Sequence, residues 1–542
     1  MPDVRPARSS SQDVTPSEGK NFASIWASVR VRYASAALSG VLFALSFPNF
    51  NLSFLIWIAP LPLLLALIHE PRLARAYRLG ALTGVLFLAL SVYWFDFVME
   101  NYGHVPRPGA IAVMLLFFLV DSSYWGVYGL LMAWVARYSR QIALMVAPFL
   151  WVTMELAETY GYFGGFPWNL AGYAVQAEGL RQFSQVTGVY GLSFLPLGAC
   201  TLAAAAVTAE PQFRRRTTMV LVLWVVGMTA YNYHLKPPAP AQGHELAILV
   251  QPNVPLNEAA DNWAPEQNPA PLRQLTDLSL AKLRQSPRGA GAPLVVWSES
   301  SAPFFFGRDP IFRTAMENLA REAQAYLIFG TVNFVGGDTA RPLNSADVLE
   351  PGGNLILQYD KIHLVPFGEY VPSWLDHWVG KITSEAGNFT PGSNYAPATT
   401  KQGSIGLSIC YEEIFPQLVR RLTPSGPSVL VNISDDGWYG NSSARYQSQE
   451  MARLRAIENH RYLLRATNDG ITAVIDPYGR VLESLPEGQQ GALAVHFDYL
   501  SAETPYHRQG DLFAGLCLAI SGITVAVRVR ASGRKSAAGR RE

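Results

Sequence analysis

The sequence is poor in cysteine and in charged residues, and both shortages limit the classes of protein that it fits. Its 542 residues contain three cysteines, Cys200, Cys410 and Cys517, which is too few for a disulfide framework. Charged residues make up 15% of the chain, whereas soluble domains average roughly 25%. The net charge of +1 argues against the basic surface of a nucleic-acid-binding protein. Part of this chain therefore avoids water, and we expect no nucleic-acid partner.

Metal-ligand spacings and glycine-rich phosphate loops are also missing from the sequence. We therefore expect no cofactor and no metal. No convincing internal repeat is present, and we take a monomer as the expected state.

Long apolar runs are abundant. Runs of about 20 mostly apolar residues are typical of transmembrane helices, because that length crosses the hydrocarbon core. The sequence predicts eight segments, at roughly residues 33–49, 53–68, 79–99, 110–136, 142–160, 186–207, 219–233 and 512–529.

Arginine and lysine placement gives these eight segments one consistent orientation. Basic residues precede the first segment, follow the last, and fill every second loop between. Arg107 and Arg181 are the exceptions. By the positive-inside rule both termini are cytoplasmic, and the long stretch before the last segment lies outside. We assign residues 1–240 to a bundle of seven transmembrane helices and residues 505–542 to a final helix with a basic tail. The first segment is interpreted as a retained anchor.

Residues 245–499 have the composition of a globular domain. Short apolar runs alternate with helix-like stretches, which is typical of an α/β layered domain. The predicted strands are residues 246–250, 294–297, 325–329, 355–359, 405–409, 429–433 and 471–475, and the predicted helices are 271–285, 311–324 and 444–465.

Three of these predicted strands end on residues that can do chemistry. Glu299 follows the strand at 294–297, Lys361 follows the strand at 355–359, and Cys410 follows the strand at 405–409. A glutamate or lysine in such a place is more often a solvated surface residue. Together with a thiol, however, they supply a base, a cation and a nucleophile, and this combination indicates a nucleophilic site.

The residues around these strand ends resemble the Glu-Lys-Cys signature of the nitrilase superfamily. The matching stretches are Trp-Ser-Glu at 297–299, Tyr-Asp-Lys-Ile-His-Leu-Val-Pro-Phe-Gly-Glu-Tyr-Val-Pro at 359–372 and Ile-Cys-Tyr-Glu-Glu at 409–413. The 361–372 stretch, the Gln-Pro-Asn motif at 251–253 and Gly-Phe-Pro-Trp at 165–168 resemble the apolipoprotein N-acyltransferase family. This resemblance covers nearly the whole chain.

The resemblance implies an αββα sandwich that faces the periplasm from a multi-pass protein of the bacterial inner membrane. It implies a ping-pong reaction in which an acyl chain passes from a phospholipid to Cys410 as a thioester. The acyl chain then passes to the α-amino group of a diacylglyceryl-cysteine at a lipoprotein N-terminus. In that reaction Glu299 is the general base and Lys361 stabilises the oxyanion.

Further residues match the family pattern around the site. The resemblance implies that Tyr411 and Glu412 shape the pocket, and we expect Glu369 to orient Lys361 or to share a proton with Glu299. Five aromatic residues are predicted to contact lipid or substrate: Phe166, Trp168, Trp263, Trp374 and Trp378. For these loop aromatics and for the Phe304–Phe306 run, completion of a core is an equally good explanation.

Several ionisable residues have a structural and a functional interpretation. His363 is interpreted as a packed histidine, because Glu299 already fits the role of base. Glu413 fits a surface residue equally well. Asp96, Asp121 and Glu155 lie in predicted membrane segments, where carboxylates are often functional. They are equally explained by pairing with polar neighbours such as Ser122 and Ser123, and we leave them out of the catalytic set.

Three alternative functions remain open from the sequence. A membrane-anchored amidase or lipid hydrolase would use the same three residues with water as acceptor. A transporter would place its key residues in the bundle and leave the strand-end residues unexplained. A non-catalytic lipoprotein-binding scaffold would have no use for a reactive thiol.

Overall fold

The computed structural model describes residues 25–101, 105–240, 243–254, 270–299, 301–302, 304–336, 341–370 and 388–538. Of residues 531–538 it describes the backbone only. Three of the predicted lipid-contacting residues, Trp263, Trp374 and Trp378, lie outside these ranges.

The N-terminal region is helical, as its long apolar runs predict. Pro60 and Pro211 stand in the first turn of their helices, where the missing N–H has no partner to lose. The helices are α1 (Val29–Leu45), α2 (Pro60–Ile68), α3 (Leu73–Ser91), α4 (Phe95–Asn101), α5 (Arg107–Asp121), α6 (Ser123–Ala136), α7 (Arg140–Thr159), α8 (Glu178–Arg181), α9 (Ser184–Thr208) and α10 (Pro211–His234).

Five helical stretches of the described chain are long and apolar enough to cross a membrane. They are Leu73–Ser91, Arg107–Ala136, Arg140–Thr159, Ser184–Thr208 and Leu512–Arg530. The predicted count of eight is not confirmed, although the remaining segments are helical. α1 has 17 residues, α2 has nine, and α10 carries three consecutive arginines.

The last helix, α16 (Leu512–Ala538), packs against α7. Thr153 Oγ1 donates to Ser521 Oγ at 3.0 Å. The last helix of the chain therefore belongs to the same bundle as the N-terminal helices. Inside the bundle Glu155 accepts hydrogen bonds from Trp151 Nε1 and the Ala171 N–H, at 2.9 and 2.8 Å. Asp121 is buried, and its Oδ2 has no hydrogen-bond partner among the described residues. The expected pairing with Ser122 is not seen, because that hydroxyl donates to Leu119 O.

The second region folds into two six-stranded sheets within the described residues. The first has the order β12-β1-β2-β3-β4-β5 and the second β11-β10-β9-β8-β7-β6. The strands are β1 (Glu245–Gln251), β2 (Leu294–Trp297), β3 (Tyr326–Val335), β4 (Arg341–Leu349), β5 (Leu355–Asp360), β6 (Ala398–Thr399), β7 (Ser404–Ile409), β8 (Ser428–Ser434), β9 (Leu463–Thr467), β10 (Ala473–Ile475), β11 (Val481–Ser484) and β12 (Gly491–Phe497).

The central strands of each sheet, β1-β2-β3 and β7-β8-β9, run parallel. Both faces of these strands are covered, which explains why they are continuously apolar rather than alternating. The sheets pack on each other through residues such as Leu249, Val296 and Leu407. Helices α11 (Ala270–Gln285) and α12 (Pro310–Ala323) cover the outer face of the first sheet.

Two further helices, α13 (Pro416–Leu422) and α14 (Ala444–Asn459), cover the second sheet. A short helix, α15 (Pro505–Gln509), leads into α16. The layers are therefore helix, sheet, sheet, helix, and the predicted αββα sandwich is confirmed.

One predicted helix is too long, and several strands are absent from the sequence prediction. The helix predicted at 444–465 ends at Asn459, because His460 adopts a left-handed conformation with φ of 51° that stops it. Leu463–Thr467 is instead a central strand. Strands β4, β6, β11 and β12 are short or mixed in polarity, so their runs carried no clear signal.

The second region contacts the bundle at several points, and one of them is a buried glutamine side chain. Gln447 on α14 accepts from Trp168 Nε1 at 2.7 Å and from Trp94 Nε1 at 3.4 Å. Its amide donates to Pro48 O and Ser91 O at 2.8 and 2.9 Å. These four contacts lead to the bundle and hold α14 against it, while a fifth, to Ser443 Oγ at 3.3 Å, stays at the start of α14.

Candidate active site

The three predicted strand-end residues lie together at one edge of the sandwich. Glu299 follows β2, Lys361 follows β5 and Cys410 follows β7. Lys361 Nζ is 3.6 Å from Glu299 Oε1, and the charges of both act on the Cys410 thiol. All three side chains are buried. The fold therefore assembles the predicted Glu-Lys-Cys group.

Lys361 is held by two carboxylates. Its Nζ donates to Glu369 Oε1 at 2.9 Å, in addition to the Glu299 contact. Burial alone would lower the pKa of Lys361, but the charges of Glu369 and Glu299 outweigh it and raise the pKa above its ordinary value. The amine is therefore a fixed cation.

Asn344 connects the two carboxylates and was not identified from the sequence. Its Nδ2 donates to Glu299 Oε1 at 2.8 Å and to Glu369 Oε1 at 2.7 Å. The other oxygens accept backbone N–H groups, Glu299 Oε2 from Asp435 at 3.1 Å and Glu369 Oε2 from Val365 at 2.7 Å. Both carboxylates are thus fixed in orientation before any substrate binds.

Cys410 sits at a sharp turn between β7 and a short 3₁₀ helix, Cys410–Ile414. Its φ of 51° is in the left-handed region, which is uncommon for a residue with a side chain. Asn432 Nδ2 donates to Cys410 O at 3.4 Å and to Ser408 Oγ at 3.1 Å. Strained backbone of this kind clusters at functional sites, and here it presents the thiol at the strand end.

The surroundings of the Cys410 thiol favour its protonated form. Burial and the negative charge of Glu299 raise its pKa, while Lys361 and the hydroxyl of Ser434 act against that rise. A buried thiol with a raised pKa is a weak nucleophile until a base removes its proton. The adjacent Glu299 is placed for that transfer.

Glu412 ties the lysine segment to the cysteine segment. Its Oε1 accepts the N–H groups of Ile362 and His363 at 2.7 and 3.0 Å. Its Oε2 accepts the Ile409 N–H and the Tyr359 hydroxyl, both at 2.8 Å. Burial raises its pKa to about 7, against the effect of the backbone donors. Glu412 therefore positions both halves of the site.

His363 is packed, as the sequence analysis favoured. Its ring centroid lies 3.8 Å from that of Phe415. Burial and the charge of Lys361 lower its pKa to about 4. On its other side, a Cβ on Gly164 would come within 3.1 Å of the imidazole. The bundle loop thus meets the edge of the site, where Tyr411 OH also donates to Gly165 O at 3.4 Å.

Glu413 is not a surface residue, contrary to one interpretation of the sequence. It is buried and accepts from Arg465 Nη2 at 3.1 Å. The same guanidinium contacts Asp436 Oδ1 at 2.9 Å and donates to Ser448 Oγ at 2.9 Å. Nothing in the local sequence indicates this pairing, because Arg465 is 52 residues from Glu413, 29 from Asp436 and 17 from Ser448 along the chain.

The aromatic predictions divide into two groups. Trp168 is buried at the contact between the bundle and the sandwich, and its ring is stacked with that of Phe166, at 5.8 Å between centroids. Phe304 and Phe306 are buried in the sandwich core, so core completion explains them. Phe305 is 40% exposed.

Comparison with known proteins agrees with both regions of the chain. Residues 39–202 match the apolipoprotein N-acyltransferase N-terminal domain, and residues 259–506 match the carbon-nitrogen hydrolase family. An apolipoprotein N-acyltransferase of Geobacter metallireducens is 38% identical over 92% of this chain and 95% of its own. This chain belongs to the apolipoprotein N-acyltransferase family.

Other members of the family are more distant. The Methylococcus capsulatus apolipoprotein N-acyltransferase is 30% identical over 91% of this chain and 96% of its own. The relative from Vibrio vulnificus is 29% identical over 90% and 96%. Among solved structures, a nitrilase-superfamily amidase of Nesterenkonia AN1 matches 51% of this chain and 98% of its own, at 20% identity and a TM-score of 0.38.

Proposed function

We propose that this chain moves an acyl chain from a membrane phospholipid to the α-amino group of the diacylglyceryl-cysteine of a lipoprotein. The observation that carries this proposal is the buried group of Cys410, Glu299 and Lys361, directly above a membrane bundle. The family relatives carry the name of this activity. A hydrolase that uses the same group is the alternative from the sequence, and the large bundle favours lipid substrates over it.

In the first step the thiol of Cys410 attacks the phospholipid ester. Glu299 takes the thiol proton as the sulfur–carbon bond forms. The carbonyl oxygen becomes an oxyanion, which Lys361 stabilises from a fixed position. The ester carbon–oxygen bond then breaks, and Glu299 returns the proton to the leaving alcohol. A thioester on Cys410 and a lysophospholipid result.

In the second step the amine of the lipoprotein attacks the thioester. The nitrogen arrives as an ammonium ion and must lose two protons to become an amide. Cys410 leaves as a thiol and takes one of them through Glu299. The second proton stays on Glu299. Lys361 stabilises the oxyanion of this step as well.

Glu369 acts through Lys361. It makes the shortest contact to the amine, at 2.9 Å, and shares the Asn344 amide with Glu299. We assign it the role of fixing the ammonium group, while Tyr411, Glu412 and Trp168 shape the surroundings.

We place the active site on the outer side of the inner membrane. The arginine pattern of the sequence puts both termini in the cytoplasm and the sandwich in the periplasm. This position gives Cys410 access to phospholipid and to lipoproteins anchored in the same leaflet. We assign Phe166 to the lipid route that leads to this site.

A labelling experiment tests the proposal. Purified protein is incubated with acyl-labelled phospholipid, and the adduct on Cys410 is located by mass spectrometry. A diacylated lipopeptide is then added. We expect the label on the peptide amine, whereas release as free fatty acid would support a hydrolase. A Cys410→Ala variant that still transfers label would contradict the assignment of the nucleophile.

A further inference from the structure

Helix α14 lies between the bundle and the segment that carries the nucleophile. Two of its buried side chains, Gln447 and Glu458, are about three helical turns apart and so lie on one face of the helix. Both contact the bundle. Gln447 has the four bundle contacts given above, and Glu458 Oε1 accepts the N–H of Val189 in α9 at 2.9 Å. This face of α14 is therefore held on the membrane helices.

A neighbouring face of α14 contacts the short 3₁₀ helix that begins at Cys410. Ser448 Oγ donates to Glu413 Oε1, and Arg455 Nη1 donates to Ile414 O at 3.4 Å. Ser448 and Arg455 are both buried and are about two turns apart, so they share a face. The backbone of α14 therefore connects the bundle with the nucleophile segment.

Gln447 meets the bundle at the end of a membrane-length helix. Ser91 is the last residue of α3, which is long and apolar enough to cross a membrane. The last carbonyl groups of a helix have no intrahelical partner, and the Gln447 amide donates to Ser91 O. Its oxygen accepts from Trp168, in the loop whose Gly165 O accepts from the Tyr411 hydroxyl. Gln447 thus fixes α14 to this helix end and to the loop at the edge of the site.

The first step of the proposed reaction depends on how the thiol is placed relative to the bundle. The depth of a phospholipid ester is set by the bilayer and the membrane helices, whereas the place of the Cys410 thiol is set by the sandwich. Attack requires the reacting atoms to come about 3–3.5 Å apart, and a displacement of about 1 Å can lower the rate 10²-fold. A water-soluble reagent diffuses to the thiol, so its reaction does not depend on this placement.

We propose that Gln447 is a positioning residue for lipid substrates, which sets the place of Cys410 relative to a phospholipid held by the bundle. Gln447 touches no reacting atom. It acts through α14 and the contacts of this helix with Glu413 and Ile414. This inference rests on the thioester step of the function proposed above.

The test uses Gln447→Met, which keeps the length of the side chain and removes its hydrogen bonds. Thioester formation on Cys410 is measured over a range of phospholipid concentrations, and alkylation of the same thiol by iodoacetamide is followed by mass spectrometry. We expect the rate at saturating phospholipid to fall about tenfold or more, because the reacting atoms are misplaced. The KM for phospholipid and the alkylation rate should each change by less than about twofold, since neither depends on that placement.

Gln182→Met is the matched control. Gln182 is also a buried glutamine of the contact between the two regions, and its Nε2 donates to Tyr478 O at 3.1 Å. Tyr478 lies between β10 and β11, outside α14 and outside the nucleophile segment. We expect this variant to match the wild type in saturating rate, KM and alkylation.

Four results would overturn the inference. One is a wild-type rate of thioester formation in Gln447→Met. Another is an equal loss in thioester formation and in alkylation, which would indicate a general disturbance of the site. A raised KM with an unchanged saturating rate would show that Gln447 acts in lipid binding instead. An equal loss in Gln182→Met would show that the effect does not depend on α14.

If Gln447→Met fails to fold, Gln447→Glu takes its place with the same criteria. The carboxyl group keeps an acceptor for the two indoles and loses at least one of the two carbonyl contacts. Absence of any acyl adduct in the wild-type protein would instead refute the proposed function, and this inference with it.

Discussion

Two buried cations near Cys410, Lys361 and Arg465, differ in how many of their hydrogen-bond donors have partners. Lys361 and Arg465 each contact two carboxylates and are almost completely buried. Arg465 donates to Glu413, Asp436, Ser448 and the Ile471 carbonyl. Among the described residues, Lys361 has one hydrogen bond, to Glu369, and a looser contact with Glu299.

This difference is the one expected if Arg465 is structural and Lys361 has the oxyanion role proposed for it. A guanidinium has five N–H donors in a planar fork, and the surroundings of Arg465 use that fork fully. An ammonium has three donors, and Lys361 commits only part of its capacity, which leaves a donor for a developing oxyanion. Asp436 also accepts from Ser434 Oγ at 2.9 Å. Through Asp436, Arg465 therefore stabilises the end of β8, which lies beside Cys410.

The largest effect is expected on stability, from removing Arg465, whose N–H donors are all used. Arg465→Met leaves Glu413 and Asp436 buried without a cation, and removal of one partner of such a group costs about 3–5 kcal/mol of stability. Thermal unfolding of the full chain should report this loss. Arg465→Lys should recover only part of it, because an ammonium cannot replace the fork. Equal stability of Arg465→Met and the wild type would remove the structural assignment.

The next largest effect is expected on the reaction rate, from replacing Lys361. Lys361→Met removes the proposed oxyanion partner, and loss of one such donor lowers the rate by about 10²–10³-fold. Thioester formation from labelled phospholipid measures this directly. The comparison predicts that Lys361→Met costs more in rate than Arg465→Met does per folded molecule. A larger loss of rate per folded molecule in Arg465→Met than in Lys361→Met would contradict this comparison.

Glu369→Gln tests whether Glu369 contributes to turnover by holding the ammonium group of Lys361 in position. The amide keeps an acceptor for the lysine but removes a charge, so the ammonium is held less firmly. We expect turnover to fall about tenfold, a modest loss of the kind caused by disturbed positioning rather than by loss of a reacting group. Thioester formation and transfer should slow together. Unchanged turnover would exclude this role.

The smallest effect on turnover is expected from His363→Phe. Since the pKa of His363 is about 4, the ring is neutral above pH 6 and has no proton to exchange during turnover. The pH profile of turnover from pH 6 to 8 should therefore match the wild type. A lost or shifted limb of that profile would identify His363 as a base after all.

The same pKa has a consequence for stability. The folded value is below the ordinary value of 6.5, so the unfolded chain binds the proton first as the pH falls. The contribution of a neutral His363 is complete above pH 6.5 and is lost between 6.5 and about 4. The stability of His363→Phe should fall less than that of the wild type across this interval. If stability fell equally with pH in His363→Phe and in the wild type, the lowered pKa of His363 would be contradicted.

Much of the site was predictable because parallel strands bring their carboxyl ends to one edge. Glu299 and Cys410 each follow a short apolar run, and Asp435 follows the apolar run of β8 in the same way. Asn344 was not predictable, because β4 mixes polar and apolar residues and pairs antiparallel to its neighbours. The helix prediction at 444–465 failed because nothing in the local pattern distinguishes the left-handed residue His460.

The sequence by itself determined the membrane region, the layered second region and the three strand-end residues, since apolar periodicity and strand ends are local features. The tertiary structure alone decided which charges pair. Arg465 meets Glu413 and Asp436 from a distant strand, Asn344 reaches both carboxylates of the lysine, and Gln447 joins the sandwich to three parts of the bundle. Such contacts depend on how strands and helices pack, and no local pattern of residues encodes them.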